Sequence, residues 1–393
     1  MSLSIEPESS PQKPPPWRDL RIIRVLLQVG YLLAVAALIA WLFINLTTNL
    51  DRQGIRRDFG FLDQRTGFTI LGTDFSSSQP ISDALWVGLM NTLRVGIVGI
   101  VLALILGIVV GVARLSSNWL VRRSASAFVE ALRNVPPLVL IAFFYFAVLT
   151  QLPTIDNALT PLGIIVLSNR GLNLPWYELA PGSGVFVALC GVAVVAAVAV
   201  GIWRTRRFDA TGEPHHRVAF GAGVAIAIVV LAWLALERPV ALTIPGIEGR
   251  VITGGTQVLP EYAALLIALV LYTASFIAEI VRGSIQAVPL GQTEAGDALG
   301  LSWFHRMRHV VLPQALRIAT PATGNEFLNL NKNVSLGVVI AYPELLRVAR
   351  QAIGNGQPAP QLVFLVLVGY LGMSLIISAL VNLANRRLQL VER

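Results

Sequence analysis

The chain has 393 residues, of which 55% are hydrophobic and 13% charged, with a mean hydropathy of +0.68, a composition that excludes an ordinary soluble domain. A net charge of +8 raises nucleic acid as a partner, but the basic residues sit in short loops between apolar runs, which excludes that reading. The single Cys190 lies within an apolar run, so there is no intramolecular disulfide framework and the residue reads as a small packed side chain.

Residues 1–24 form a polar tail carrying Pro11, Pro14, Pro15 and Pro16, expected to be disordered. The tail lacks the small-residue cleavage site of a secretory signal peptide, so the first apolar run is expected to remain as an anchor. A bilayer core about 30 Å thick needs about 20 apolar residues per spanning helix, and the sequence offers that length repeatedly. Eight spans are read, near 25–46, 90–113, 135–152, 185–203, 219–236, 262–281, 321–342 and 361–384. They are read as helices because an open sheet would strand its N–H and C=O groups in hydrocarbon, and the runs are too long for barrel strands. The expected fold is an all-α membrane protein of about eight transmembrane helices.

Every second loop is basic. Lys13, Arg18, Arg21 and Arg24 precede the first span, and Arg114, Arg122 and Arg123 follow the second. Arg204, Arg206, Arg207 and Arg217 join the fourth to the fifth; Arg282, Arg306, Arg308 and Arg317 follow the sixth; Arg386, Arg387 and Arg393 end the chain. The positive-inside rule then places both termini in the cytoplasm. Residues 47–89 run against the pattern, since Arg52, Arg56, Arg57 and Arg65 fall on the outer side.

Between the third and sixth spans, residues 153–184 and 237–261 read as Gly- and Pro-rich external loops, and 203–217 as a polar loop between two Ala/Val-rich, lipid-facing spans. His215 and His216 in that loop lack the partners and spacing of a metal site, so no metal is assigned.

The segment Gln292–Ala322 is amphipathic and punctuated. Gly300 can end one short helix in the left-handed conformation, and Leu301, Phe304, Met307, Val310 and Val311 repeat at helical spacing until Pro313, which is expected to interrupt. Two short helices meeting at a glycine form a compact knob. It suits a partner's groove, as a lever passing movement into the attached helices; a surface helix in the headgroup layer fits the same amphipathicity.

In the seventh span, Asn325, Asn329, Lys332 and Asn333 follow i, i+4, i+7, i+8 and share one helical face. A lysine at mid-bilayer depth costs about 2.5–3.5 kcal/mol, so this face is expected to avoid lipid. Either it lines a translocation route that hydrogen-bonds a zwitterion, or Lys332 pairs with Glu279 or Glu326 and fixes helix packing. Glu279 and Arg282, and likewise Glu130 and Arg133, are three residues apart and placed to touch; such pairs are more often structural, and Glu279 is kept as a pathway candidate. No G-x-x-x-x-G-K-[ST] stretch and no catalytic constellation occurs, so an enzyme is not expected.

The run Glu294-Ala295-Gly296, three residues, Gly300, nine residues, Val310, one residue, Leu312-Pro313 resembles the EAA loop of binding-protein-dependent ABC importer permeases. Gly296 stands where alanine is usual and Val310 where isoleucine is. Tyr272–Gly283 before the loop, and Asn325-Glu326-Phe327 with Asn329, Lys332, Ser335 and Leu336 after it, are similar to the polar amino-acid branch. Gly88, Thr92, Leu93, Phe128-Val129-Glu130, Arg133 and Pro136 match it as well.

An extra N-terminal span with its external loop (25–83) and an insertion at 153–260 carrying two extra spans resemble the larger permease subunit of general L-amino acid ABC transporters. The resemblance implies a transmembrane domain over 84–384 with a five-helix type I ABC importer core, and a cytoplasmic tail at 385–393. It also implies Glu294 and its loop as the contact with a cytoplasmic ABC ATPase dimer that carries ATP and Mg. The other partners implied are a second permease subunit forming a heterodimer and a periplasmic amino-acid-binding protein, at the bacterial inner membrane. The expected function is alternating-access import of L-amino acids. Import of opines or other small zwitterions, an ion-coupled secondary transporter and a membrane-anchored scaffold are the alternatives.

Overall fold

A computed structural model describes residues 20–52, 54, 58–180, 183–211, 216–236 and 240–388. The proline-rich tail, Arg56, Arg57, His215 and the last residues of the C-terminal tail lie outside them. Twelve α-helices occur in the described residues, and six are long and apolar enough to cross a membrane. These six are α1 (Leu20–Arg52), α2 (Ile81–Ala113), α5 (Ser183–Thr211), α6 (Arg217–Ala235), α7 (Pro260–Gln286) and α12 (Ala359–Leu388).

A bent pair of helices would make a seventh crossing if its two arms form one span. Helix α3 (Trp119–Arg133) starts at Asn118, whose side chain accepts the Leu120 and Val121 N–H groups, and ends at Asn134 before two prolines. Pro136 is extended, as the residue before a proline must tend to be, and the chain re-enters helix at α4 (Pro137–Ala142), which runs on as a π-helical turn to Leu149. The bend is 101°. Only the second arm was expected from hydropathy; α3 is amphipathic, with arginines, and carries no apolar run.

The seventh expected span, 321–342, divides differently from the rest. Helix α10 (Leu312–Asn333) continues as a 3-10 turn through Ile340 and reverses at Ala341, φ 60°. Its amides and Lys332 keep it outside the apolar helices. Pro313 does not interrupt the chain as expected; it follows directly on the π-helical turn Met307–Val311 as the second residue of α10, and the helix runs on through it.

The core is built around α2 and α7. Lipid tails are as apolar as leucine, so spanning helices associate through close packing rather than water exclusion. Glycines on α2 allow it: a Cβ on Gly107 would stand 2.6 Å from Cβ of Ile277, and one on Gly111 would stand 2.8 Å from the Ala278 carbonyl oxygen. On the same helix Gly99 faces Leu330 of α10. Ile141, Leu265, Leu269, Ile277 and Leu330 are fully buried there.

A second cluster lies at the other end of α2. Phe61, Phe68 and Phe75, from the loop expected to be external, pack with Ile81 against Leu345 and Val348 of α11 (Leu345–Gly354) and Leu362 of α12. This packing explains why α2 begins nine residues before its apolar run.

By contrast α1 buries none of its apolar window, and α5 and α6 pack chiefly on each other, Gly221 meeting the Ala197 carbonyl. Cys190 is half-buried on α5.

Among the described residues seven short strands qualify the all-α expectation, which holds for every spanning element. Within 153–260, β1 (Val166–Ser168), β2 (Gly171–Leu174) and β7 (Thr256–Val258) form an antiparallel sheet in the order β1-β2-β7. β3 (Trp176–Leu179) pairs with β4 (Val240–Thr243), and β5 (Gly246–Glu248) with β6 (Val251–Thr253). Leu172 faces Val258 and Trp176 faces Thr243, so the outgoing and returning limbs of the insertion are zipped together at its root. An open-edged sheet is admissible here because these segments lie outside the apolar spans, where water satisfies the edges.

Candidate functional site

The punctuated segment folds as two short helices meeting at a glycine. Helix α8 (Leu290–Ala298) closes in a Schellman motif: the Leu301 N–H bonds the Gly296 carbonyl at 3.1 Å and the Gly300 N–H that of Asp297 at 2.9 Å, with Gly300 at φ 69°. Ser302 caps α9 (Trp303–Arg306), and a π-helical turn, Met307–Val311, joins it to α10.

Arg306 folds back to an ion pair with Asp297, its methylenes 3.2–3.3 Å from where a Cβ on Gly296 would stand. Gly296 thus gives room to a cross-brace between the two short helices, and its lack of a side chain does not simply loosen the knob. Glu294 and Ala295 are exposed. So are the apolar Leu290, Leu299, Trp303 and Phe304, each by more than half, a surface suited to a partner's groove.

Leu312 and Pro313 open α10, and about 28 Å further along the same helix, at 1.5 Å per residue, stands Lys332. Asn325, Asn329 and Lys332 are exposed on one face and Asn333 is half-buried beside them. The opposite face, with Leu330 and Asn331, is buried against α2. No carboxylate among the described residues lies within ion-pair distance of Lys332.

Glu279 instead sits at the far end of α7, paired with Arg114 at the end of α2 and with Arg282 of its own helix, whose Nε lies 3.3 Å from the carboxylate. The spacing argument for Glu279 and Arg282 holds, and these two arginines take both oxygens of the Glu279 carboxylate. The matching argument for Glu130 and Arg133 does not hold: Arg133 lies over the Phe276 ring, 5.0 Å from its centroid. Glu326, which accepts a hydrogen bond from Asn329, feels the charge of Arg133.

Two groupings escaped the reading by residue pattern. One is the buried Glu344, which accepts the Leu346 and Arg347 N–H groups at 2.8 and 2.6 Å and the Tyr370 hydroxyl at 2.6 Å. Burial pushes this carboxyl up to about 7, against those hydrogen bonds. Thr92 and Gly88, singled out by resemblance, hold the same corner. The Thr92 hydroxyl accepts the Leu345 N–H at 3.1 Å, and a Cβ on Gly88 would meet the Leu345 Cα at 3.0 Å.

The second grouping surrounds Arg94, an arginine inside the second apolar run. Such a residue signals a site by itself. It lines a half-open cavity of about 800 Å³ between α2, α7 and the external strands.

No cluster of metal-ligating side chains occurs among the described residues.

Residues 99–390 match the family described as binding-protein-dependent transport system inner membrane component. The chain is 38% identical to the permease protein YhdX of Escherichia coli (strain K12), over 94% of both chains. It is 37% identical to the general L-amino acid transport system permease protein AapQ of Rhizobium johnstonii, over 96% of this chain and 94% of that one. To the glutamate/glutamine/aspartate/asparagine transport system permease protein BztB of Rhodobacter capsulatus it is 36% identical, over 95% and 96% respectively.

Proposed function

The chain belongs to the family of binding-protein-dependent transport system inner membrane components, and on that premise we propose that it is the permease subunit of an ATP-driven importer of polar L-amino acids. Its likeness along nearly the whole length to AapQ and BztB supports the substrate class.

On this reading α10 with its 3-10 extension is also a span, the seventh in chain order, and brings the number to eight. The five-helix core is α2, the bent α3–α4 pair, α7, α10 and α12, with both termini in the cytoplasm. A cytoplasmic ATPase dimer grips the α8–α9 knob through Glu294 and its exposed apolar neighbours. A second permease subunit covers the exposed face of Asn325, Asn329 and Lys332, leaving a polar route between the two subunits. A binding protein delivers the amino acid to the external side.

The observation that carries the mechanism is continuity. Helix α9 passes through a π-helical turn into α10 without a loop, and the Arg306–Asp297 ion pair braces α8 to it, so displacement at Glu294 reaches Lys332 through that brace and the helical run from Trp303 onward. Closure of the ATPases then changes the side to which the polar route opens, which is alternating access.

The test is uptake of labelled glutamine by proteoliposomes holding this chain, a second permease, the ATPase and the binding protein. Uptake is expected to require ATP. Uptake that proceeds without ATP and collapses with an ion gradient overturns the assignment in favour of a secondary transporter.

A further inference from the structure

Arg94 stands thirteen residues into α2, within a helix apolar enough to span the bilayer, and it is exposed. Among the described residues it has no ion pair and no hydrogen bond. An unpaired guanidinium on a spanning helix is costly against lipid, so it marks either a water-filled cavity or a ligand. The cavity is present: about 800 Å³, within the size range of small-molecule sites, and half open.

Its walls divide by chemistry. Asn91, one turn from Arg94, lines the cavity and donates its amide N–H to the Pro343 carbonyl at 2.9 Å, which leaves its side-chain oxygen free to accept. The Tyr262 ring packs 5.9 Å from that of Tyr342, whose hydroxyl is spent on the Asn91 carbonyl at 3.1 Å. Leu172 and Trp176, from the zipped root of the insertion, form an apolar roof. One fixed cation, one amide one helical turn away and a mostly apolar lining, with Thr73, Thr256 and Gln257 as further polar groups, match a zwitterion with a side chain.

Resting on the importer reading above, we propose that this cavity is an outer vestibule subsite in which Arg94 holds the carboxylate of the incoming amino acid, roofed by the insertion. The subsite lies on the external side of the core, separate from the α10 face. It gives the 153–260 insertion a part in transport, as the wall that makes a groove into a chamber.

The test uses the assembled complex in vesicles, with Cys190→Ala and a reporter cysteine at Leu71, a cavity-lining residue 63% exposed. The rate at which a water-soluble methanethiosulfonate modifies Leu71→Cys is measured with and without L-glutamine, in the absence of ATP and binding protein. Glutamine is expected to slow modification and L-glutaminamide, lacking the carboxylate, to do so far less. Adding Arg94→Gln is expected to weaken protection by about ten- to a hundredfold, the range of a charged hydrogen bond, with Arg94→Lys between, and without change in the unprotected rate. Equal protection by the amide, or protection that survives Arg94→Gln, overturns the proposal, as does the absence of any protection. If glutamine is inert and slowing appears only when phosphatidylglycerol replaces part of a phosphatidylcholine vesicle, the site belongs to a lipid headgroup and the proposal fails. Because this readout needs no ATP, its failure is distinct from failure of ATP-driven uptake.

Discussion

The Tyr370 hydroxyl of α12 donates a 2.6 Å hydrogen bond to the Glu344 carboxylate, and that carboxylate in turn caps the first turn of α11. Three donors converge on one buried acid that joins two helices and, through Thr92 and Leu345, a third.

Burial raises the Glu344 carboxyl to about 7 in the fold, against 4.5 for the free group. Between those values the folded protein binds more protons than the unfolded chain, so stability is expected to fall as pH rises from about 4.5 to 7. The full difference is on the order of 3 kcal/mol. Melting in detergent across this window should show the slope, and Glu344→Gln, which cannot ionise, should flatten it. A variant with the slope of the parent would mean that another group titrates.

Gly107→Ala places a methyl 2.6 Å from Cβ of Ile277, too close for any real contact. Separating α2 from α7 is expected to cost about 1–3 kcal/mol. Gly191→Ala is the control: nothing lies within 4 Å of its added Cβ, and alanine is the better helix former by about 1 kcal/mol. The two variants should therefore move the melting temperature in opposite directions.

Charge reversal at Glu294 tests the knob. The residue is exposed and makes no ion pair among the described residues, so Glu294→Lys is expected to leave folding of this chain unchanged. ATP hydrolysis by the assembled complex should continue while uptake falls by tenfold or more. Normal uptake by this variant would falsify the coupling role.

Lys332 distinguishes a pathway from a packing role. With no carboxylate partner among the described residues, Lys332→Met removes a charge without orphaning another. Uptake is expected to be lost while the variant still copurifies with the ATPase and second permease. Loss of copurification would instead assign the lysine to the subunit contact.

Six of the apolar spans, the left-handed Gly300 and the shared face of Asn325, Asn329 and Lys332 were legible without a structure. Each depends on residues within a few positions of one another: an apolar run long enough for hydrocarbon, a glycine closing its own helix, amides repeating at helical spacing. The resemblance rested on the same kind of local spacing.

Tertiary structure alone decided the rest. It paired Glu279 with Arg114, 165 residues away, and stacked Arg133 on Phe276. It brought Glu344 to Tyr370, zipped the insertion at β2–β7 and β3–β4, and set Arg94 at the wall of a half-open cavity. It also carried the helix through Pro313, which follows directly on the π-helical turn Met307–Val311. Charge pairs, buried acids and cavities come from parts of the chain that sequence order keeps apart, and helix packing through the glycines of α2 is what brings them within reach.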